Sequence, residues 1–302
     1  MDADLAAGSD RTDPASVKEQ KMSESIAEIK KQLQAASLPG LPDFLKDHET
    51  FIRTYETDER SGVKKLVEQA RKQIDAYEKE LKRTESMKRF EKEYDSYSYI
   101  CGIDEVGRGP LAGPVVAGTV ILPKNCDILY LNDSKQLSEK KREELYEVIM
   151  EKAVSTGLGF VTPERIDEIN ILQATYEAMR MAIGELDPVP DLLLNDAVTI
   201  PEVTIRQVPI IKGDAKSISI AAASIIAKVT RDRLMAEYEK TYPGYGFAAN
   251  KGYDPQSILQ PSGNLVRHQS TGGALSGTFY RRRYEAFFFI YTGKSADTGE
   301  QS

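Results

Sequence analysis

The chain has 302 residues, more than one ordinary domain holds, so one large domain with a smaller companion is expected. Forty Lys and Arg against 47 Asp and Glu leave a formal charge of −7, which excludes a globally basic nucleic-acid coat but not a local basic groove. Cys101 and Cys126 are too few for a disulfide scaffold, only two histidines (His48 and His268) are available for acid–base work, and no apolar run approaches the ~18 residues of a membrane span. The opening MDADLAAGSDRTDPAS is acidic and lacks the basic and apolar regions of a signal peptide. A cytoplasmic setting is the expectation.

Residues 1–22 are polar and aperiodic and read as a disordered leader. Ile26, Ile29 and Leu33 form a short helical stripe that the SLPGLP stretch at 37–42 ends. Val63, Leu66, Val67, Ala70, Ile74, Tyr77 and Leu81 then recur every three or four residues, predicting a long amphipathic helix with Lys and Glu on its other face. Residues 23–96 are therefore expected to be a helical extension. At about residue 97 the texture changes. SYICGID (98–104), VVAGTVIL (115–122), TGLGFVT (156–162), DLLLND (191–196) and VTIRQVPII (203–211) predict five strands. Helices are expected between them: one capped near Ser138, one after Thr162 with Pro163 in its first turn, and one from about Ser217 to Glu239. The order implies an α/β fold, a sheet with helices on its faces.

Four acidic residues stand out by position. Asp104 and Glu105 end the first expected strand, before the turn Gly107-Arg108-Gly109-Pro110; Asp196 ends the fourth; Asp214 precedes the helix beginning near Ser217. Carboxyl ends of strands converge on one rim of an open α/β sheet. Carboxylates crowded there repel one another unless hard divalent cations such as Mg²⁺ or Mn²⁺ neutralise them. Each residue also has a plain structural reading: Asp214 as a helix cap, Asp196 as a turn residue, Asp104-Glu105 as a solvated strand end.

The segment from Cys101-Gly102-Ile103-Asp104-Glu105-Val106-Gly107-Arg108-Gly109-Pro110 to Ala117 resembles the signature of bacterial ribonuclease HII. Asp133-Ser134-Lys135, Lys212-Gly213-Asp214-Ala215-Lys216 and the run Ile220–Arg233 resemble its further motifs, in the family's order, over roughly 97–253. Residues 24–95 look like the N-terminal extension of Bacillus-type members. The resemblance implies a ribonuclease H-like mixed five-stranded sheet and hydrolysis of the RNA strand of RNA–DNA hybrids. It also implies nicking 5′ of single ribonucleotides in duplex DNA by two Mg²⁺ or Mn²⁺ ions, leaving 5′-phosphate and 3′-hydroxyl, as ribonucleotide excision requires. Asp104, Glu105, Asp196 and Asp214 map onto the family's four catalytic, metal-holding carboxylates. Gly107, Arg108 and Gly109 would read the 2′-hydroxyl, Tyr253 would stack on the neighbouring sugar, and Lys135, Lys216, Lys228 and Arg231 are candidates for phosphate contacts. RNA–DNA hybrid and ribonucleotide-containing duplex are the implied partners of a monomer that needs no membrane. Two alternatives are an inactive hybrid-binding protein and ribonuclease HIII-like specificity, against which Arg108 in the Gly-Arg-Gly turn argues.

After Tyr253 the resemblance ends, and residues 254–302 carry a Ser/Gly-rich stretch and the cluster Phe287-Phe288-Phe289. Reading from the third base of the Pro255 codon, degenerate codons for Pro255–Leu275 yield TKHLAALRKFGTSPVHRRSF, which resembles the family's ending. The tail is thus expected to be a frame-shifted translation, disordered and prone to aggregation through the Phe cluster.

Overall fold

The computed structural model describes residues 24–38, 40, 41 and 43–253. The expected leader and the tail from 254 onward lie outside them. The described residues fall into two compact units, the first ending at Arg83 and the second beginning at Thr84.

The first unit is helical. Helix α1, Ile26–Ala35, starts with a capping box in which Ser25 accepts from the Glu28 amide and Glu28 reaches back to the Ser25 amide. Helix α2, Phe44–Tyr55, was not foreseen as a separate element, although Phe44, His48, Phe51, Ile52 and Tyr55 share one buried face. Helix α3, Ser61–Met87, is the long amphipathic helix predicted from its stripe. Ile29, Leu33, Phe51, Ile52, Tyr55, Val63, Leu66, Val67 and Ala70 form one apolar core. His48 is buried, its Nδ1 2.8 Å from the Phe44 carbonyl and its Nε2 3.2 Å from Gln73. It serves packing.

The second unit begins 13 residues before the expected change of texture at residue 97, because Met87 is buried in the same cluster as Val116, Val120 and Ile225. A short helix, α4 (Arg89–Glu93), follows, and Glu91 accepts from the Ser217 hydroxyl and the Ser219 amide. All five expected strands form: β1 Ile100–Val106, β2 Val115–Ile121, β3 Ser155–Val161, β4 Leu192–Asp196 and β5 Arg206–Ile210. Their order across the sheet is β3-β2-β1-β4-β5. Strands β1, β2 and β3 pair antiparallel, whereas β1, β4 and β5 run parallel. The sheet is mixed, as expected.

Helices cover both faces. Alternation along β2 sends Val116 and Val120 into a core with α5 (Glu139–Lys152) and α7 (Ile218–Thr241). Val115, Ala117 and Ile121 enter a second core with α6 (Pro163–Gly184). Ser138 caps α5 by accepting from the Lys141 amide, and Thr162 caps α6 ahead of Pro163. Helix α6 bends at Asn170, whose φ is 69° and whose side chain accepts from the Leu172 and Gln173 amides, so it caps the second segment. Helix α7 is buried without a break from Ile218 to Ala227. It lies directly on the sheet because β1 and β2 offer Gly102 and Gly118: a Cβ there would stand 2.0 Å from the Ser219 carbonyl carbon and 2.6 Å from the Ala223 oxygen.

Candidate active site

Parallel pairing of β1, β4 and β5 brings their carboxyl ends to one sheet edge. Strand β1 runs two residues further than expected, so Asp104 and Glu105 lie inside the ladder, opposite Gly118 and Ala117. Asp196 closes β4. Asp214 sits in a 3₁₀ turn, Gly213–Ala215, after β5.

Asp104 is only 7% exposed. Burial, with Glu105 and Asp196 nearby, pushes its carboxyl well above the usual carboxylate range, and a hydrogen bond from Ser224 on α7 opposes part of that. Asp214 is half-buried, and burial together with Asp133 and Asp196 pushes it up to about 6, with Lys135 close enough to offset part of the rise. The four acids therefore share one neighbourhood. Their side chains do not close on one point: Glu105 accepts from Arg108 at 3.0 Å, and Asp196 accepts from the Gly213 amide at 2.7 Å. Among the described residues no three acid, histidine or cysteine side chains are grouped tightly enough to hold a metal ion. Donor chemistry nevertheless fits a hard divalent cation. The set is all carboxylate, and the second oxygen of Glu105 is buried without a hydrogen-bond partner.

The glycine turn lies beside the acids. Gly107 has φ +105°, and a Cβ there would meet the Pro114 carbonyl at 2.4 Å and Arg231 Nε at 2.8 Å, so only glycine fits. Tyr253 is half exposed, and its ring is 3.4 Å from where a Gly109 Cβ would be. The turn and the tyrosine are neighbours. Lys135 and Lys216 are exposed near the acids, Lys216 donating to the Ile211 carbonyl. Lys228 is placed differently from a phosphate contact: its ammonium is held 2.7 Å from Asp232, both largely buried. Arg231 is fully buried and spends its guanidinium on three backbone carbonyls, which removes it from phosphate binding.

Three residues escaped the reading of the sequence. Ser224 stands beside Asp104 and donates to the Ser134 hydroxyl at 2.9 Å. Asp133 faces Asp214 and caps the turn Ser134–Gln136 by accepting from the Lys135 amide. Asp232 joins Lys228 to Arg142, which donates to the Ser134 and Leu137 carbonyls. The only available signal was their place inside the quoted motifs.

A family model described as "Ribonuclease HII" matches residues 101–261, just over half of the chain, and one described as "Ribonuclease HII N-terminal domain" matches 25–95. The chain belongs to the ribonuclease HII family. Ribonuclease HII of Lachnoclostridium phytofermentans is 62% identical over 232 residues, 77% of this chain and 89% of that one. Ribonuclease HII of Clostridioides difficile is 51% identical over 231 residues, 76% of this chain and 88% of that one. Among solved structures, ribonuclease H2 from Pyrococcus horikoshii OT3 is 30% identical with a TM-score of 0.47, covering 54% of this chain and 83% of that one. The ribonuclease HII seen in complex with PCNA from Archaeoglobus fulgidus is 29% identical with a TM-score of 0.43, covering 54% and 86%. This ribonuclease HII chain is a ribonuclease H endonuclease, an enzyme class that acts on RNA–DNA hybrids and uses divalent metal. Neither an inactive binding protein nor ribonuclease HIII-like specificity gains support. The family match runs past Tyr253 and ends at residue 261. No described helix is long and apolar enough to cross a membrane.

Proposed function

We propose that the chain cuts the RNA strand of RNA–DNA hybrids and nicks duplex DNA 5′ of a single embedded ribonucleotide, leaving 5′-phosphate and 3′-hydroxyl ends. Asp104, Glu105, Asp196 and Asp214 are the catalytic residues, and the same four carboxylates would hold the metal. Bound Mg²⁺ or Mn²⁺ supplies Lewis-acid activation of water and neutralises the leaving 3′-oxygen. Ser224, next to Asp104 on the buried side, and the buried surroundings of Asp104 exclude bulk water. Gly107, Arg108 and Gly109 present backbone and guanidinium groups to the ribose, where the 2′-hydroxyl distinguishes RNA from DNA. Tyr253, exposed beside Gly109, offers a face for the adjoining sugar. Lys135 and Lys216, both exposed, can meet phosphates from the flanks of the carboxylates, Lys216 by exchanging its bond to the Ile211 carbonyl.

One observation carries this reading: a four-carboxylate neighbourhood at one sheet edge lies directly beside a glycine turn faced by an exposed tyrosine. The test is a duplex with one ribonucleotide incubated with Mg²⁺ or Mn²⁺. Cleavage on the 5′ side by wild type and none by Asp104→Asn is expected. Cleavage that survives Asp104→Asn would sink the assignment.

A further inference from the structure

Arg231 has no exposed surface, yet it carries a positive charge on a helix face that packs against the sheet unit. A buried cation is expensive unless every donor is used. Here Nε donates to the Pro114 carbonyl at 2.9 Å, one terminal nitrogen to Ala112 at 2.9 Å and the other to Lys251 at 2.8 Å. Two of these acceptors close the loop that follows Gly107-Arg108-Gly109; the third lies two residues before Tyr253. The two segments also meet directly, since the Leu111 amide donates to the Gly252 carbonyl at 2.9 Å. Gly252 has φ +88°, and a Cβ there would stand 2.3 Å from the Ala112 carbonyl. Neither segment belongs to a strand.

We propose that Arg231 is a positioning residue for sugar recognition. From the rigid helix α7 its guanidinium fork fixes the spacing between the Gly107–Gly109 turn and Tyr253, and so the width of the slot that accepts a ribose. Planarity matters here. Three carbonyls lie in the reach of one fork, a geometry that a lysine ammonium does not reproduce. The inference rests on the reading that this turn and Tyr253 face the ribose.

The test compares wild type with Arg231→Lys, Tyr253→Ala and the double variant on a duplex containing one ribonucleotide, with an all-DNA duplex of the same sequence as competitor. For Arg231→Lys, kcat/KM is expected to fall by about tenfold to a hundredfold, the cost of misplacing a bound group by about 1 Å. The inhibition constant of the all-DNA duplex, which has no hydroxyl to read, is expected to change by no more than about twofold, since phosphate contacts remain. Because Arg231 acts through the slot, the double variant is expected to be no worse than about threefold below the weaker single one. Losses that multiply, or a wild-type rate in folded Arg231→Lys while Tyr253→Ala is impaired, would overturn the proposal alone. A wild-type rate in Tyr253→Ala would overturn the sugar-reading assignment and the proposal with it. If Arg231→Lys does not fold, judged by its thermal midpoint, Gly252→Ala decides: it keeps the guanidinium but crowds the Ala112 carbonyl, and must show the same selective loss.

Discussion

Asp104 joins two demands that conflict. Burial and two neighbouring acids raise its proton affinity, so in the absence of cations the folded chain holds a repulsive group that the unfolded chain does not. Removing that repulsion with Asp104→Asn is expected to abolish cleavage, by on the order of a thousandfold or more. The same change should leave the thermal midpoint no lower than that of wild type, a trade between stability and function. Mg²⁺ at a hundredfold excess over its dissociation constant should stabilise wild type by about 2.7 kcal/mol and Asp104→Asn by much less, read by calorimetry. The buried pair Lys228–Asp232 behaves oppositely. Asp232→Asn strands a largely buried ammonium and is expected to cost about 3 kcal/mol in urea denaturation. That the four carboxylates and the glycine turn lie at one sheet edge was legible in the sequence because short contiguous motifs carry them. Lys228 and Arg231 were not correctly placed, because a surface cation and a buried strut look alike until the acceptors, 117 and 119 residues away for Pro114 and Ala112, are known.

At the scale of elements, the strands were legible because β-branched and apolar runs between turn residues allow little else. Their ends were less so: β1 continues through Asp104 and Glu105 because β2 supplies pairing partners as far as Val116. Helix α2 was overlooked since its apolar positions follow a proline-rich stretch that reads as a terminator. Two substitutions test how tightly the elements are specified. Gly118→Ala would drive a methyl group to 2.6 Å from the Ala223 carbonyl of α7, a backbone atom that cannot step aside. The expected loss is about 3 kcal/mol, with activity falling because α7 also carries Ser224. Asn170→Ala removes the cap of the second α6 segment and leaves alanine at φ 69°, for an expected loss of about 2 kcal/mol with kcat unchanged, since α6 covers the face away from α7.

For the whole molecule, a helical extension and an α/β catalytic part were legible from texture alone, while the division at Arg83 rather than residue 96 depended on where Met87 is buried. We propose that residues after about Tyr253 are frame-shifted, although the family match itself continues to residue 261. Sequencing the DNA around codon 254 is expected to reveal a one-base indel or a sequencing error. An intact frame, with the Phe287–Phe289 peptide found by mass spectrometry, would reject it. Comparing cleavage and hybrid affinity of the full chain with those of a version starting near Thr84 would assign the helical unit; a drop in affinity with little change in kcat is expected if it grips substrate.

Helix α7 presents Ser224 to Asp104 and to the Ser134 hydroxyl, Asp232 to Arg142, and Arg231 to the two turns beside Tyr253. These positions fall on successive windings of one rod, so the carboxylate cluster, the Ser134–Gln136 turn and the glycine turn inherit a common alignment. A small roll of that rod would detune all three together, and no local repair at any one of them could restore the others.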